Sequence, residues 1–137
     1  MPDLHQTLER LHTRGFVLCV CTNQPDVSRG WQSRSQVDEF HALILRELPV
    51  TQVYACFHDN AHDCDCRKPK PGMLLAAALA HDIDCARSFM VGDRPGDIEA
   101  GRAAGCTTIY LRHPGKPAVS DADHEISALS QLLPLIR

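Results

Sequence analysis

The sequence predicts an α/β fold, a doubly wound parallel sheet forming a single domain over residues 1–137, and three observations carry the prediction. Short continuous apolar runs rich in β-branched residues, such as residues 16–22 and 88–92, have the pattern of strands buried on both faces of a parallel sheet. Segments with helical spacing alternate with those runs along the whole chain, which is the order that right-handed crossovers produce. The length, 137 residues, suits one core, so a second folded domain is not expected.

The elements follow in order. Leu4, Leu8 and Leu11 recur at helical spacing before Gly15, so residues 3–14 read as an opening helix ended by a glycine stop. Residues 16–22 form the first strand and 23–30 the loop leaving its carboxyl end. Ser35 begins a capped helix whose Val37, Phe40, Leu43, Ile44 and Leu48 make one apolar stripe, closed by Pro49. Residues 52–56 make a short strand, and the Cys/His/Asp segment after it is too polar for anything but a loop. A helix over 71–80 carries proline in its first turn. Then come a strand over 88–92, a short helix over 98–104 closed by Gly105, and a last strand over 107–111. A polar stretch from 113 to 123 leads to a final helix over about 126–133.

Composition narrows the setting. The chain is 44% hydrophobic and 23% charged, an ordinary globular balance, and no apolar run approaches the roughly 20 residues of a membrane span. The charged, amphipathic start lacks the apolar core of a secretory signal, so a cytoplasmic location is expected. A net charge of -3 gives no basic face for nucleic acid and leaves small anions as partners. Seven cysteines are an odd number, and three of them crowd together with a histidine, which suits a metal in a reducing compartment better than disulfides.

Ligands of a doubly wound sheet bind beyond the carboxyl ends of its strands, and the chemically telling residues all fall there. Cys56, His58, Cys64 and Cys66 place three thiolates and one imidazole in the loop 56–66, the ligand set of a closed tetrahedral zinc site, with His62 the alternative to His58. Such a site has no open position, so its expected task is to fix the loop rather than to activate water. Arg67 and Lys68 follow directly, where fixed cations can hold a phosphate. Asp93 and Asp97 sit on the loop after the strand 88–92, a seat for Mg²⁺, although Asp97 reads equally as the cap of the next helix. Thr22, Asn23, Gln24 and Arg29 add hydroxyl, amide and guanidinium donors at the same mouth. Cys19, Cys21, Cys85 and Cys106 read as core residues, and His113, like the other single histidines, as a solvated surface position.

These residues resemble the haloacid-dehalogenase (HAD) superfamily, in particular its heptose-bisphosphate and histidinol-phosphate phosphatase branch with a zinc loop. VCTNQPDVSRG is similar to the family's second motif, CFHDNAHDCDCRKPKPGM to its zinc loop and third motif, and MVGDRPGDIEAGRAAG to its fourth. The resemblance implies a Rossmannoid sheet without a separate cap domain and hydrolysis of a small phosphorylated substrate. It implies that Thr22 and Lys68 bind the transferring phosphoryl group and that Asn23, Gln24, Arg29 and Arg67 contact substrate. Asp93 would ligate Mg²⁺ with Asp97 in support.

The family's first motif, an Asp-x-Asp at the end of a leading strand, is absent, because Asp3 has no strand before it and no second aspartate two residues on. The domain is therefore expected to be truncated at its N-terminus and to lack the aspartate nucleophile. Hydrolysis by metal-activated water, on phosphodiesters or triesters, is then the expected route. The alternatives are a non-catalytic, zinc-stabilised phosphate-binding module and a piece of an ordinary sugar-phosphate phosphomonoesterase. Losing the central strand exposes two ladder edges, so the strands 16–22 and 88–92 are expected either to pair directly or to be covered by a second copy in a homodimer.

Overall fold

Helices and parallel strands alternate through a computed structural model of the chain, which describes residues 3–23, 30, 33–57, 64, 66–117 and 121–136. The order is α1 (Leu4–Thr13), β1 (Cys19–Asn23), α2 (Arg34–Glu47), β2 (Gln52–Cys56), α3 (Gly72–His81), β3 (Phe89–Gly92), α4 (Pro95–Ala104), β4 (Thr107–Leu111), β5 (His124–Ile126) and α5 (Leu132–Leu135). Single 3-10 turns precede β3 and α5. Every strand pairing is parallel, as the apolar runs predict. No helix among the described residues is long and apolar enough to cross a membrane.

The elements differ from expectation in four places. β1 begins at Cys19 rather than residue 16, because Phe16 still belongs to the turn that closes α1, where its N–H reaches the Leu11 carbonyl at 3.2 Å. α2 is capped by Ser33, not Ser35: the Ser33 hydroxyl accepts from the Gln36 N–H while the Gln36 amide accepts from the Ser33 N–H, a reciprocal capping box. Of the predicted stripe on α2 only Val37 is buried, and Phe40 and Leu43 stand exposed, because the helix meets the sheet only along its outer strand β2. The final segment 126–133 is not one helix. Asp123 accepts from both the backbone N–H and the hydroxyl of Thr108, docking the chain beside β4 so that residues 124–126 continue as a strand; Ile126, Leu129 and Leu132, three apart, then face inward across a 3-10 turn.

One face of the sheet packs Leu11 of α1 against Ile109, Leu111, Ile126, Leu129, Leu132 and Ile136. The other packs Met73 and Leu74 of α3 with Ala100 of α4 around Cys56. The Arg14 guanidinium donates to the carbonyls of Leu133 and Ile136 at 2.7 and 2.8 Å, tying the end of α1 to the end of the chain. Helices therefore cover both faces, the layering of a doubly wound domain.

The sheet itself is divided. Among the described residues β1 pairs only with β2, and β3, β4 and β5 form a separate ladder. The expected direct pairing of the first strand with the strand at 88–92 does not occur: Phe16, Leu18, Phe89 and Val91 share one apolar cluster, but their backbones stay apart. Between them lies a half-open slot of about 830 Å³, lined by residues 16–22 on one side and 88–93 on the other.

Candidate active site

The slot ends, at the carboxyl ends of β1 and β3, in a polar corner built around Lys68. Three residues fix it. Asn23 holds its backbone through two reciprocal bonds, the side-chain carbonyl accepting from Lys68 N–H at 3.1 Å and the side-chain amide donating to Lys68 C=O at 3.2 Å. The ammonium donates to the Cys21 carbonyl at 3.0 Å and to Asp97 Oδ1 at 2.5 Å. Only 12% of the Lys68 side chain and 9% of the Asp97 side chain reach solvent, so the cation is held in a partly desolvated position where its charge acts strongly.

Asp97 is the third residue of α4, and its other oxygen accepts from the N–H groups of Asp93 and Arg94, both at 3.2 Å. Its carboxylate thus closes the helix start and pins Lys68 at once. This close approach needs glycine at position 92, since a β-carbon there would fall 2.2 Å from Asp97 Cβ. Asp93 differs. Its side chain is about half exposed at the same corner, with Oδ2 3.1 Å from His113 Nε2. Thr22 closes the group at the end of β1. The thiol of Cys21 is no nucleophile here, because burial, offset in part by Lys68, pushes it up to about 11 and keeps it protonated near neutrality.

A second cluster lies beside the corner. The sulfurs of Cys56, Cys64 and Cys66 all fall within 4.8 Å of one another. Cys56 and Cys64 stand 3.8 Å apart, the separation that two thiolates with 2.3 Å bonds keep on a tetrahedral zinc, about 3.8 Å. Cys66 is closer to Cys56, at 2.7 Å. Burial pushes the Cys64 thiol up, but bonds from the Arg67 N–H and from the neighbouring thiols outweigh it and bring the thiol down to about 7. Burial and the thiols of Cys56 and Cys64 push Cys66 up to about 12. Lys70 Nζ donates to the Cys64 carbonyl at 2.5 Å, and residues 67 and 68 follow directly, so the cysteine loop and the phosphate-type corner are one continuous structure.

Comparison with known proteins converges on one family. The HAD-hydrolase-like family model matches residues 65–130. D-glycero-beta-D-manno-heptose-1,7-bisphosphate 7-phosphatase of Pasteurella multocida (strain Pm70) is 35% identical over 96% of this chain and 80% of its own length. The enzyme of the same name from Escherichia coli (strain K12) is 36% identical over 85% of this chain and 68% of its own. Among solved structures, D,D-heptose 1,7-bisphosphate phosphatase from B. bronchiseptica, complexed with magnesium and phosphate, superposes with a TM-score of 0.80 at 25% identity, covering 98% of this chain and 84% of that one. A HAD-like phosphatase from Mesorhizobium loti gives a TM-score of 0.81 at 28% identity, covering 99% and 73%. The chain belongs to the HAD-like hydrolases, among their phosphatases.

Within that family frame the structure brings Thr22, Asn23, Lys68, Asp93 and Asp97 to one corner from three separate stretches of sequence. It gives two of them narrower tasks than expected. The Asn23 side chain is engaged with the Lys68 backbone, and all of the Asp97 contacts are to Lys68 and the start of α4, which matches the capping alternative. Arg67 sits beside the corner with its N–H turned to Cys64. Gln24, Arg29, His58 and His62 lie outside the described residues. The residue that sequence reasoning missed is His113, which reads as an isolated surface histidine. Its position two residues past β4, at a strand's carboxyl end like every other member of the site, was the available signal.

Proposed function

We propose that this HAD-family chain is a metal-dependent hydrolase of small phosphate esters, with a sugar phosphate of the kind named for its relatives as substrate. The observation that carries the reading is the Lys68 ammonium, locked by the Cys21 carbonyl and Asp97 beside Thr22, with the open carboxylate of Asp93 at the same mouth. Lys68 and the Thr22 hydroxyl would hold the phosphoryl oxygens, and because Lys68 is already positioned it needs no reorganisation as charge develops. Asp93, half exposed and held on one oxygen by His113, fits a magnesium ion, which takes one or two carboxylates and leaves its other positions to water and phosphate. When bound, such an ion supplies charge neutralisation and a more acidic water. Asp97, saturated by three donors, serves by holding Lys68 and the turn that carries Asp93. Attack by a metal-activated water would make phosphodiesters and triesters candidate substrates beside monoesters.

Cys56, Cys64 and Cys66, with His58 as the fourth ligand, would hold a structural zinc ion that keeps the loop before Arg67 and Lys68 in place. The test is release of product from a sugar monophosphate, a diester and a triester, with magnesium titrated and then chelated. Turnover that needs magnesium and falls at least about 100-fold in Asp93→Asn is expected, whereas Cys66→Ser should lower stability before it lowers kcat. Phosphate binding without turnover of any ester would replace this reading with that of a binding module.

A further inference from the structure

The chain leaves β4 through a turn that is tied down at both ends. His113, Pro114, Gly115 and Lys116 form it, with the Lys116 N–H donating to the His113 carbonyl at 3.1 Å. Proline at its second position and glycine at its third, with a φ of 81°, are the residues that a type II turn favours. Glycine is there for the backbone angle and not for space, since nothing lies within 4 Å of where a β-carbon would fall. On the entering side the Arg112 N–H donates to the Ile126 carbonyl at 2.9 Å. On the leaving side the Arg112 guanidinium donates to the Lys116 carbonyl at 2.9 Å, and the hydroxyl of the buried Tyr110 donates to the Pro117 carbonyl at 3.2 Å.

This braced turn presents His113 to Asp93. Gly92 pairs with Tyr110, so the residues that follow β3 and β4 leave the same end of the sheet from neighbouring strands. His113 Nε2 lies 3.1 Å from Asp93 Oδ2. An ionised carboxylate only accepts, so the ring nitrogen is the donor, and a neutral imidazole suffices for that. The Asp93 backbone is held separately, its N–H donating to Asp97 Oδ2 at 3.2 Å. Among the described residues Asp93 Oδ1 has no hydrogen-bond partner, so one oxygen of the carboxylate is engaged and the other is open.

Stability does not account for this pair. The two side chains are 45% and 47% exposed, and pairs so well solvated add little to a fold. The contact sets direction instead. Magnesium demands near-ideal octahedral geometry from few carboxylates, so its affinity depends on how each one is aimed, and a hydrogen bond to the oxygen that does not ligate is what aims it. We infer that His113 is the positioning residue of Asp93: it holds Oδ2 and thereby presents Oδ1 as the oxygen that receives the magnesium ion. The inference rests on the reading of Asp93 as the magnesium ligand and adds to it a residue from outside the Lys68 corner.

The test is magnesium binding to the purified chain by isothermal titration calorimetry, with magnesium chloride as the probe and no ester present. The unaltered chain should bind the ion, and Asp93→Asn should remove most of that binding. His113→Ala should weaken it about tenfold or more, the effect that outer partners of a metal ligand have. His113→Gln, whose amide nitrogen can donate as the ring nitrogen does, should restore the affinity to within about threefold of the original. The metal-free melting temperature of His113→Ala should stay within about 3 °C, because an exposed pair contributes little to the fold. Weakening of less than about threefold in His113→Ala, failure of His113→Gln to restore affinity, or a larger fall in the metal-free melting temperature would overturn the inference and leave Asp93 as the ligand. No magnesium binding by the unaltered chain, or full binding in Asp93→Asn, would overturn the reading of Asp93 itself and the inference with it.

Discussion

The strands that border the slot, β1 and β3, are half-buried along their whole length, whereas β4, inside the other ladder, is buried from Thr108 to Leu111. In the β3–β4–β5 half, Ile98, Thr108 and Ile109 are fully buried, and α4 lies so close that a β-carbon on Gly101 would fall 2.6 Å from Met90 Cβ. Every residue of β1 is only half-buried, like those of β3 across the slot, although its sequence is as apolar as that of β4. The difference teaches that an apolar run declares where a strand wants two covered faces and two paired edges, not whether it has them. β4 has a neighbour on each side, whereas β1 has, among the described residues, one neighbour and the slot.

Four measurements break or sharpen that contrast. The largest effect should come from truncating the well-packed half: Ile109→Ala should cost about 2–5 kcal/mol in urea denaturation, and Val20→Ala on β1 about 1 kcal/mol. Equal costs would show that the two halves are packed alike and that the contrast is mistaken. Next, Gly92→Ala should destabilise by about 1–3 kcal/mol and weaken phosphate binding in parallel, because its β-carbon meets Asp97, the residue that joins β3 to Lys68 across the divide. Loss of stability with phosphate binding intact would mean that the corner does not depend on that junction.

Ser33→Ala removes the capping box of α2, the outer helix of the looser half, and should cost about 1 kcal/mol without altering the corner. The smallest effect is a pH dependence confined to the tighter half. Bonds from the N–H and hydroxyl of Thr108 hold the Asp123 carboxyl below its ordinary value of 3.8. A depressed folded-state value means that the stabilisation is fully present above that ordinary value and is lost as pH falls through the lower folded one. Acid titration of stability should therefore show a component below about pH 4 that disappears in Asp123→Asn. An unchanged acid limb in the variant would remove Asp123 from the account.

How much of the site could be read in the sequence depended on whether its parts were local. The cysteines of the loop 56–66, the Arg67–Lys68 step and the Asp93–Asp97 spacing are short-range patterns whose chemistry shows in the residue types alone. The helix-start task of Asp97 was legible, whereas its hold on Lys68 and that of Asn23 were not, because Lys68 lies 29 and 45 residues away in sequence. His113 was hidden for the same reason, being joined to Asp93 across 20 residues by the pairing of β3 with β4.

By itself, the sequence determined the alternation of helices and parallel strands, the family, and the clustering of thiols and basic residues at strand ends, because hydrophobic period, glycine stops and ligand spacing act over a few residues. Only the tertiary structure decided that the sheet is split among the described residues, that Asp97 holds Lys68, and that a slot lies between β1 and β3 beside the corner. Those outcomes follow from which edges meet and which side chains reach one another across long stretches of chain, and no local pattern records them.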